Sequence, residues 1–157
     1  MMRESVTLRP VCSNDEAFVL DLFRSAHKHT FASLDMPEEE NELLRMQFKA
    51  QQSQYRSQYP DAHFDLVLKN EVVIGTLYAM RGPEEFVLID IMLLAEHRNA
   101  GIGAKLVKKL IREANAAKKA LQAHVLKTNP ACRLWRRLGF EIVADDGVYL
   151  QIRVSAG

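Results

Sequence analysis

An apolar run, Val87 to Leu94, leads directly into Glu96-His97-Arg98-Asn99-Ala100-Gly101-Ile102-Gly103, and an amphipathic basic helix is predicted from about Ala104 to Lys118. No other stretch limits the fold as much. A buried strand, an arginine, two close glycines and a helix, in that order, demand an α/β arrangement with a tight strand-to-helix turn. Glycine lets the backbone turn sharply and come close to a ligand without side-chain interference. The unpaired N–H groups of the first helical turn then face a bound anion, and the helix dipole favours negative charge there. Arg98 adds a planar guanidinium suited to phosphate oxygens.

Two other phosphate loops fail on spacing. A P-loop needs Gly-Lys followed by Ser or Thr, whereas Gly103 is followed by Ala104, Lys105 and Leu106. The dinucleotide fingerprint needs a third glycine where Leu106 stands. Composition narrows the field further. A formal net charge of +1 over 157 residues gives no general reason to bind nucleic acid or a membrane. Two cysteines, Cys12 and Cys132, are too few for a disulfide framework or a four-ligand metal site. The histidines show no metal-ligand spacing; His27 and His29 face different ways on a helix. No apolar run approaches membrane-spanning length and the start lacks a signal core, so a cytoplasmic protein is expected.

The rest of the chain reads as a single domain, 1–157, ordered βαα-βββ-α-β-α-ββ. Val6 to Pro10 is a first strand. Ser13 or Asn14 is expected to cap a helix running to about Thr30, with Phe18, Leu22 and Ala26 on one stripe. Pro37 is expected in the first turn of a second helix ending near Tyr59, with Leu44, Phe48, Tyr55 and Tyr59 on one side. Phe64–Leu68 and Val72–Tyr78 flank the turn Lys69-Asn70-Glu71. After the Gly82-Pro83 break, Glu85 to Leu94 forms a third long strand. In the basic helix Ile102, Leu106, Leu110, Ile111 and Ala114 form the predicted buried stripe. Leu121–Val125 is a strand, Pro130–Leu138 a short helix ended by Gly139, and Glu141–Ala144 with Val148–Val154 a hairpin around Asp146-Gly147.

Two motifs in this order resemble the GNAT superfamily of N-acetyltransferases. Arg98-Asn99-Ala100-Gly101-Ile102-Gly103 matches its acetyl-CoA pyrophosphate loop. Asn129-Pro130-Ala131-Cys132-Arg133-Leu134-Trp135-Arg136-Arg137-Leu138-Gly139-Phe140 resembles its Asn…Leu-Tyr-x-x-x-Gly-Phe segment. The resemblance covers nearly the whole chain. It implies a mixed, mostly antiparallel sheet of about seven strands flanked by about four helices, splayed between the fourth and fifth strands. It also implies acetyl-CoA as cosubstrate, held by the loop from Arg98 through Ala104 and by backbone at Met92, Leu93 and Leu94. Asn129, Cys132 and Trp135 would border the same ligand.

In such enzymes an amine attacks the thioester directly. Its ammonium must first lose a proton, because an alkyl ammonium has a pKa of roughly 10. Asp90, an acid inside an apolar strand, is the first candidate base, with Glu84 and Glu85 as alternatives. A backbone N–H near Leu93 is expected to receive the oxyanion. The family's tyrosine acid is replaced here by Trp135, whose indole donates a hydrogen bond but no proton near neutrality; Tyr149 is the alternative acid. Cys132, without histidine and acid partners, reads as a small buried hydrophobe rather than a nucleophile.

The acceptor pocket is expected between Met36–Tyr59 and the Asp145–Tyr149 loop. The acidic cluster Asp35, Glu38, Glu39, Glu40 and Glu42 favours a cationic amine, small or on a protein. A catalytically impaired acetyl-CoA-binding module is the alternative. A homodimer fits the family, whereas nucleic acid and membrane partners are not expected.

Overall fold

The computed structural model describes residues 5–26, 38–98 and 100–156. The expected continuation of the first helix to Thr30, its His27 and His29, the Pro37 helix start and Asn99 lie outside them. Seven strands form one mixed open sheet in the order β1-β2-β3-β4-β5-β7-β6, with four helices. The chain divides into two compact units, Met1–Tyr78 with Ile91–Arg98, and Ala79–Asp90 with Asn99–Gly157.

The first unit holds β1 (Val6–Pro10), α1 (Glu16–Ala26), α2 (Glu38–Gln58), β2 (His63–Lys69), most of β3 (Val72–Arg81) and the end of β4 (Phe86–Leu93). β1 and β2 pair antiparallel from Val6↔Lys69 to Pro10↔Asp65. Val19, Phe23, Leu44, Phe48 and Leu66 make one apolar cluster, with the Phe23 and Phe48 rings 5.5 Å apart. Ser13 and Asn14 do not cap α1. They sit inside a 3-10 turn, Ser13–Asp15, and the Asp15 carboxylate accepts the Cys12 N–H at 2.9 Å. The same carboxylate accepts from both terminal nitrogens of Arg9, at 3.1 and 3.3 Å.

The second unit holds the start of β4, then α3 (Ile102–Ala116), β5 (Leu121–Leu126), α4 (Cys132–Arg137), β6 (Glu141–Asp145) and β7 (Tyr149–Val154). α3 packs on β5 and buries Ile102, Leu106, Val107, Leu110 and Ala114. Val107, fully buried, takes the place expected for Ile111, which is only half-buried. The other four residues of the expected stripe are buried, and Val107 lies one turn before Ile111 on the same face. β5 pairs antiparallel with β7 along its full length, Leu121↔Val154 to Leu126↔Tyr149. Its parallel ladder with β4 covers only Phe86–Leu88 against Leu121–Ala123. At the hairpin, Asp145 accepts the Gly147 N–H at 2.8 Å and Asp146 accepts those of Val148 and Tyr149 at 2.9 and 2.7 Å. Gly147 stands at φ +94°, which a side chain rarely adopts.

Candidate active site

In the second unit, Gly101 is the residue before α3 and adopts φ +81°, ψ 0°. Nothing lies within 4 Å of where its Cβ would stand, so the glycine is needed for its left-handed backbone rather than for space. The first helical bond runs from Lys105 N–H to Gly101 C=O at 3.0 Å. The N–H groups of Ile102, Gly103 and Ala104 thus have no partner inside the helix. Among the described residues no side chain caps this end, and no acid occupies the first turn. Gly103 and Ala104, expected in and just after the loop, lie within the first turn itself, with Ala100 and Gly101 exposed before it. An uncapped, unneutralised helix start favours an anion.

In the first unit the end of β4 is organised by Arg98. Its Nε donates to the Leu93 carbonyl at 2.9 Å, which leaves the two terminal nitrogens of the fork for a ligand. One edge of the guanidinium is thus spent on the strand. The Leu94 N–H donates to Ile74 C=O on β3 at 2.8 Å. Successive residues of an extended chain address opposite edges, so the Leu93 N–H points away from β3. Met92 and Leu93 lie directly against Gly75: a Cβ there would overlap the Met92 carbonyl and come within 2.7 Å of Leu93 Cδ2. Gly75 therefore belongs with this segment, though sequence reading passed over it. The available signal was a lone glycine inside a strand, which marks a close backbone approach.

In the second unit Asn129 Oδ1 accepts the Ala131 N–H at 2.9 Å, forming the turn that starts α4. At the other end, Gly139 (φ +102°) and Phe140 return their N–H groups to Arg136 and Trp135, both at 3.1 Å, closing the helix. Trp135 is 7% exposed, its ring lies 5.9 Å from that of Phe140, and its Nε1 is buried with no hydrogen-bond partner. It lines a cavity of about 350 Å³ together with Cys132, Phe140, Leu150 and Ile152. Cys132 is half-buried rather than buried, its sulfur 3.6 Å from the Leu126 carbonyl.

The acid–base candidates separate. Asp90 is half-buried in β4, whereas Glu84 is exposed before it. Glu85 accepts from Gln122 Nε2, and Gln122 Oε1 accepts from Gln151 Nε2 at 2.9 Å. Those bonds tie three consecutive strands together and give Glu85 a structural task. Tyr149 is 47% exposed. His97 sits in a 3-10 turn, Ala95–His97, its N–H donating to Leu94 C=O at 2.9 Å. No cluster of three or more metal-ligating side chains occurs among the described residues, and no helix among them is long and apolar enough to cross a membrane.

No protein of curated function matches the sequence. Many solved structures share the fold. PaiA N-acetyltransferase from Thermoplasma acidophilum, in complex with coenzyme A, is 16% identical, with a TM-score of 0.71 over 96% of this chain and 99% of that one. An acetyltransferase from Thermus thermophilus is 21% identical, TM-score 0.66, over 95% and 96%. A Corynebacterium glutamicum protein described as histone acetyltransferase HPA2 and related acetyltransferase is 20% identical, TM-score 0.65, over 98% and 97%. At such identities these likenesses speak for the fold alone. The family model for acetyltransferase (GNAT) matches residues 20–140, and the chain therefore belongs to the GNAT acetyltransferase family.

Proposed function

We propose that the protein is an N-acetyltransferase that moves the acetyl group of acetyl-CoA directly onto an amine. One observation carries this reading: the uncapped start of α3, opened by left-handed Gly101, with three free N–H groups and no competing acid. A pyrophosphate is the ligand such a cradle fits, and a relative of the same fold is described in complex with coenzyme A. Ile102, Gly103 and Ala104 donate to it, and the free nitrogens of Arg98 supply charge. Met92 to Leu94 offer a backbone edge to the pantetheine arm. The Leu93 N–H, directed away from β3, stabilises the oxyanion of the tetrahedral intermediate. Asp90 takes the ammonium proton, directly or through a water. Trp135 Nε1 donates a hydrogen bond to the departing sulfur. The thiol, with a pKa of roughly 8.5, leaves tolerably as thiolate without a proton donor.

The unpartnered indole also favours a second reading, an acetyl-CoA-binding module without turnover, because no acid of ordinary strength occupies that position. Calorimetric titration of acetyl-CoA into the wild type and Gly101→Glu tests the common part. Saturable binding to the first, absent from a folded second, is the expected result; no binding to the folded wild type overturns both readings. Thiol release with a panel of amines then separates them, turnover on any amine ruling out the inert module.

A further inference from the structure

The first unit contains a cavity of about 520 Å³ walled in part by α2, within the segment expected to line the acceptor pocket, but not by the Asp145–Tyr149 loop expected opposite it. Such a volume is ample for a small metabolite. Tyr78 forms part of its wall. Tyr78 lies four residues along β3 from Ile74, the residue bonded to Leu94, hence about 13 Å from it along an extended strand. Tyr78 is therefore displaced along the sheet from Leu94, and none of Met92, Leu93 and Leu94 lines the cavity.

Its chemistry is bipolar. Val19, Phe48 and the fully buried Tyr78 give an apolar floor. On α2, Lys49, Gln52 and Arg56 follow at spacings of three and four and present one face to it. The Tyr78 hydroxyl donates to Gln52 Oε1 at 3.0 Å, while Gln52 Nε2 is buried with no hydrogen-bond partner. Having no protein partner, this amide donor is available to an acceptor in the cavity, water or ligand. Arg56 stacks over the Phe64 ring at 4.5 Å, and neither it nor Lys49 forms an ion pair among the described residues. Glu16, at the start of α1, also lines the cavity and forms no ion pair among the described residues.

We propose that this cavity binds an α-amino acid with an apolar side chain. The carboxylate meets Lys49, Arg56 and the Gln52 amide, the ammonium meets Glu16, and the side chain covers Phe48 and Val19. A simple carboxylate would leave Glu16 facing like charge, and a simple amine would face two cations; the zwitterion satisfies both sides. This site does not depend on the acetyl-transfer reading.

The test is calorimetric titration of L-phenylalanine and L-leucine into the full chain without acetyl-CoA. N-acetylphenylalanine, which lacks the ammonium, and phenylalaninamide, which lacks the carboxylate, serve as probes of each end. Gln52→Glu keeps the acceptor for Tyr78 but turns the free donor into a repelling oxygen; Lys49→Met removes one cation at the surface. Expected is saturable binding of at least one amino acid, weakened about tenfold or more by either derivative and by either folded variant. Gly101→Glu should leave it unchanged, which separates this site from the α3 cradle. Absence of binding overturns the proposal. So does equal binding of either derivative, or affinity unchanged in both variants, which would place the amino acid elsewhere, including the acceptor site.

Discussion

Trp135 decides how much chemistry one side chain lends this fold. Its ring is packed away and contributes to the core through Phe140, but its N–H is buried without a partner. The two halves of the side chain make opposite predictions. Trp135→Ala removes the packing and should cost about 3–5 kcal/mol. Trp135→Phe loses some volume but also deletes an unsatisfied donor worth about 1–3 kcal/mol of penalty, so its stability should stay within about 1 kcal/mol of wild type. If the indole serves the sulfur of acetyl-CoA, the same variant should still lose turnover. Urea denaturation and amine-dependent thiol release on Trp135→Phe read the two separately. A large loss of stability would mean that the indole N–H has a partner in solution and is structural. The substitution itself was legible in the sequence, from its position before Leu138-Gly139-Phe140. Its unpaired nitrogen was not, because that depends on which groups the fold fails to bring near.

α3 carries two ends of opposite character. Its start has no side-chain cap among the described residues. Its finish is fully satisfied: the Lys118 N–H returns to Asn115 C=O and the Lys119 N–H to Ala114 C=O, both at 2.9 Å. The closing residue of that motif is Lys118 at φ +59°, where glycine is the usual occupant. A side chain in the left-handed region costs roughly 1–2 kcal/mol, partly offset because glycine loses more entropy on folding. Lys118→Gly should therefore stabilise the protein by about 0.5–1 kcal/mol, read as a raised urea midpoint with an unchanged slope. A lower midpoint would show that the lysine side chain makes a compensating contact. Periodicity found α3 but placed its start two residues late, because glycine was read as loop. Gly103 sits inside the first turn, where the helix tolerates it at a cost of about 1 kcal/mol relative to alanine. The Asp146-Gly147 hairpin was legible for the opposite reason: its turn chemistry is written in adjacent residues.

At the scale of the whole chain, element order and fold class could be read from local pattern, since each element carries its own periodicity and stop signal. Strand order could not. β7 lies between β5 and β6, and all five residues of the edge strand β6 are exposed, the apolar Ile142 and Val143 among them. The cavity between Val19, Gln52 and Tyr78 is likewise invisible in sequence, as its walls come from three distant elements. Charge placement links both units in one further respect. Asp15 in the first unit is held at about 2, below its ordinary 3.8, by the Arg9 guanidinium and then by the Cys12 N–H and thiol. In the second unit Asp145 is lowered mainly by Lys127, and Asp146 by the N–H groups of Tyr149 and Val148. A carboxyl whose pKa is lower folded than unfolded stabilises the fold above its unfolded value and loses that contribution as pH falls through the folded one. Both units should therefore weaken in acid, the Asp15 share fading between about pH 4 and pH 2. Asp15→Asn keeps an oxygen for the Cys12 N–H and removes only the charge. Its urea midpoint should lie below that of the wild type at pH 6, and the gap should close by pH 2. A gap that persists unchanged across this range would mean that Asp15 acts through shape and hydrogen bonding rather than through its charge.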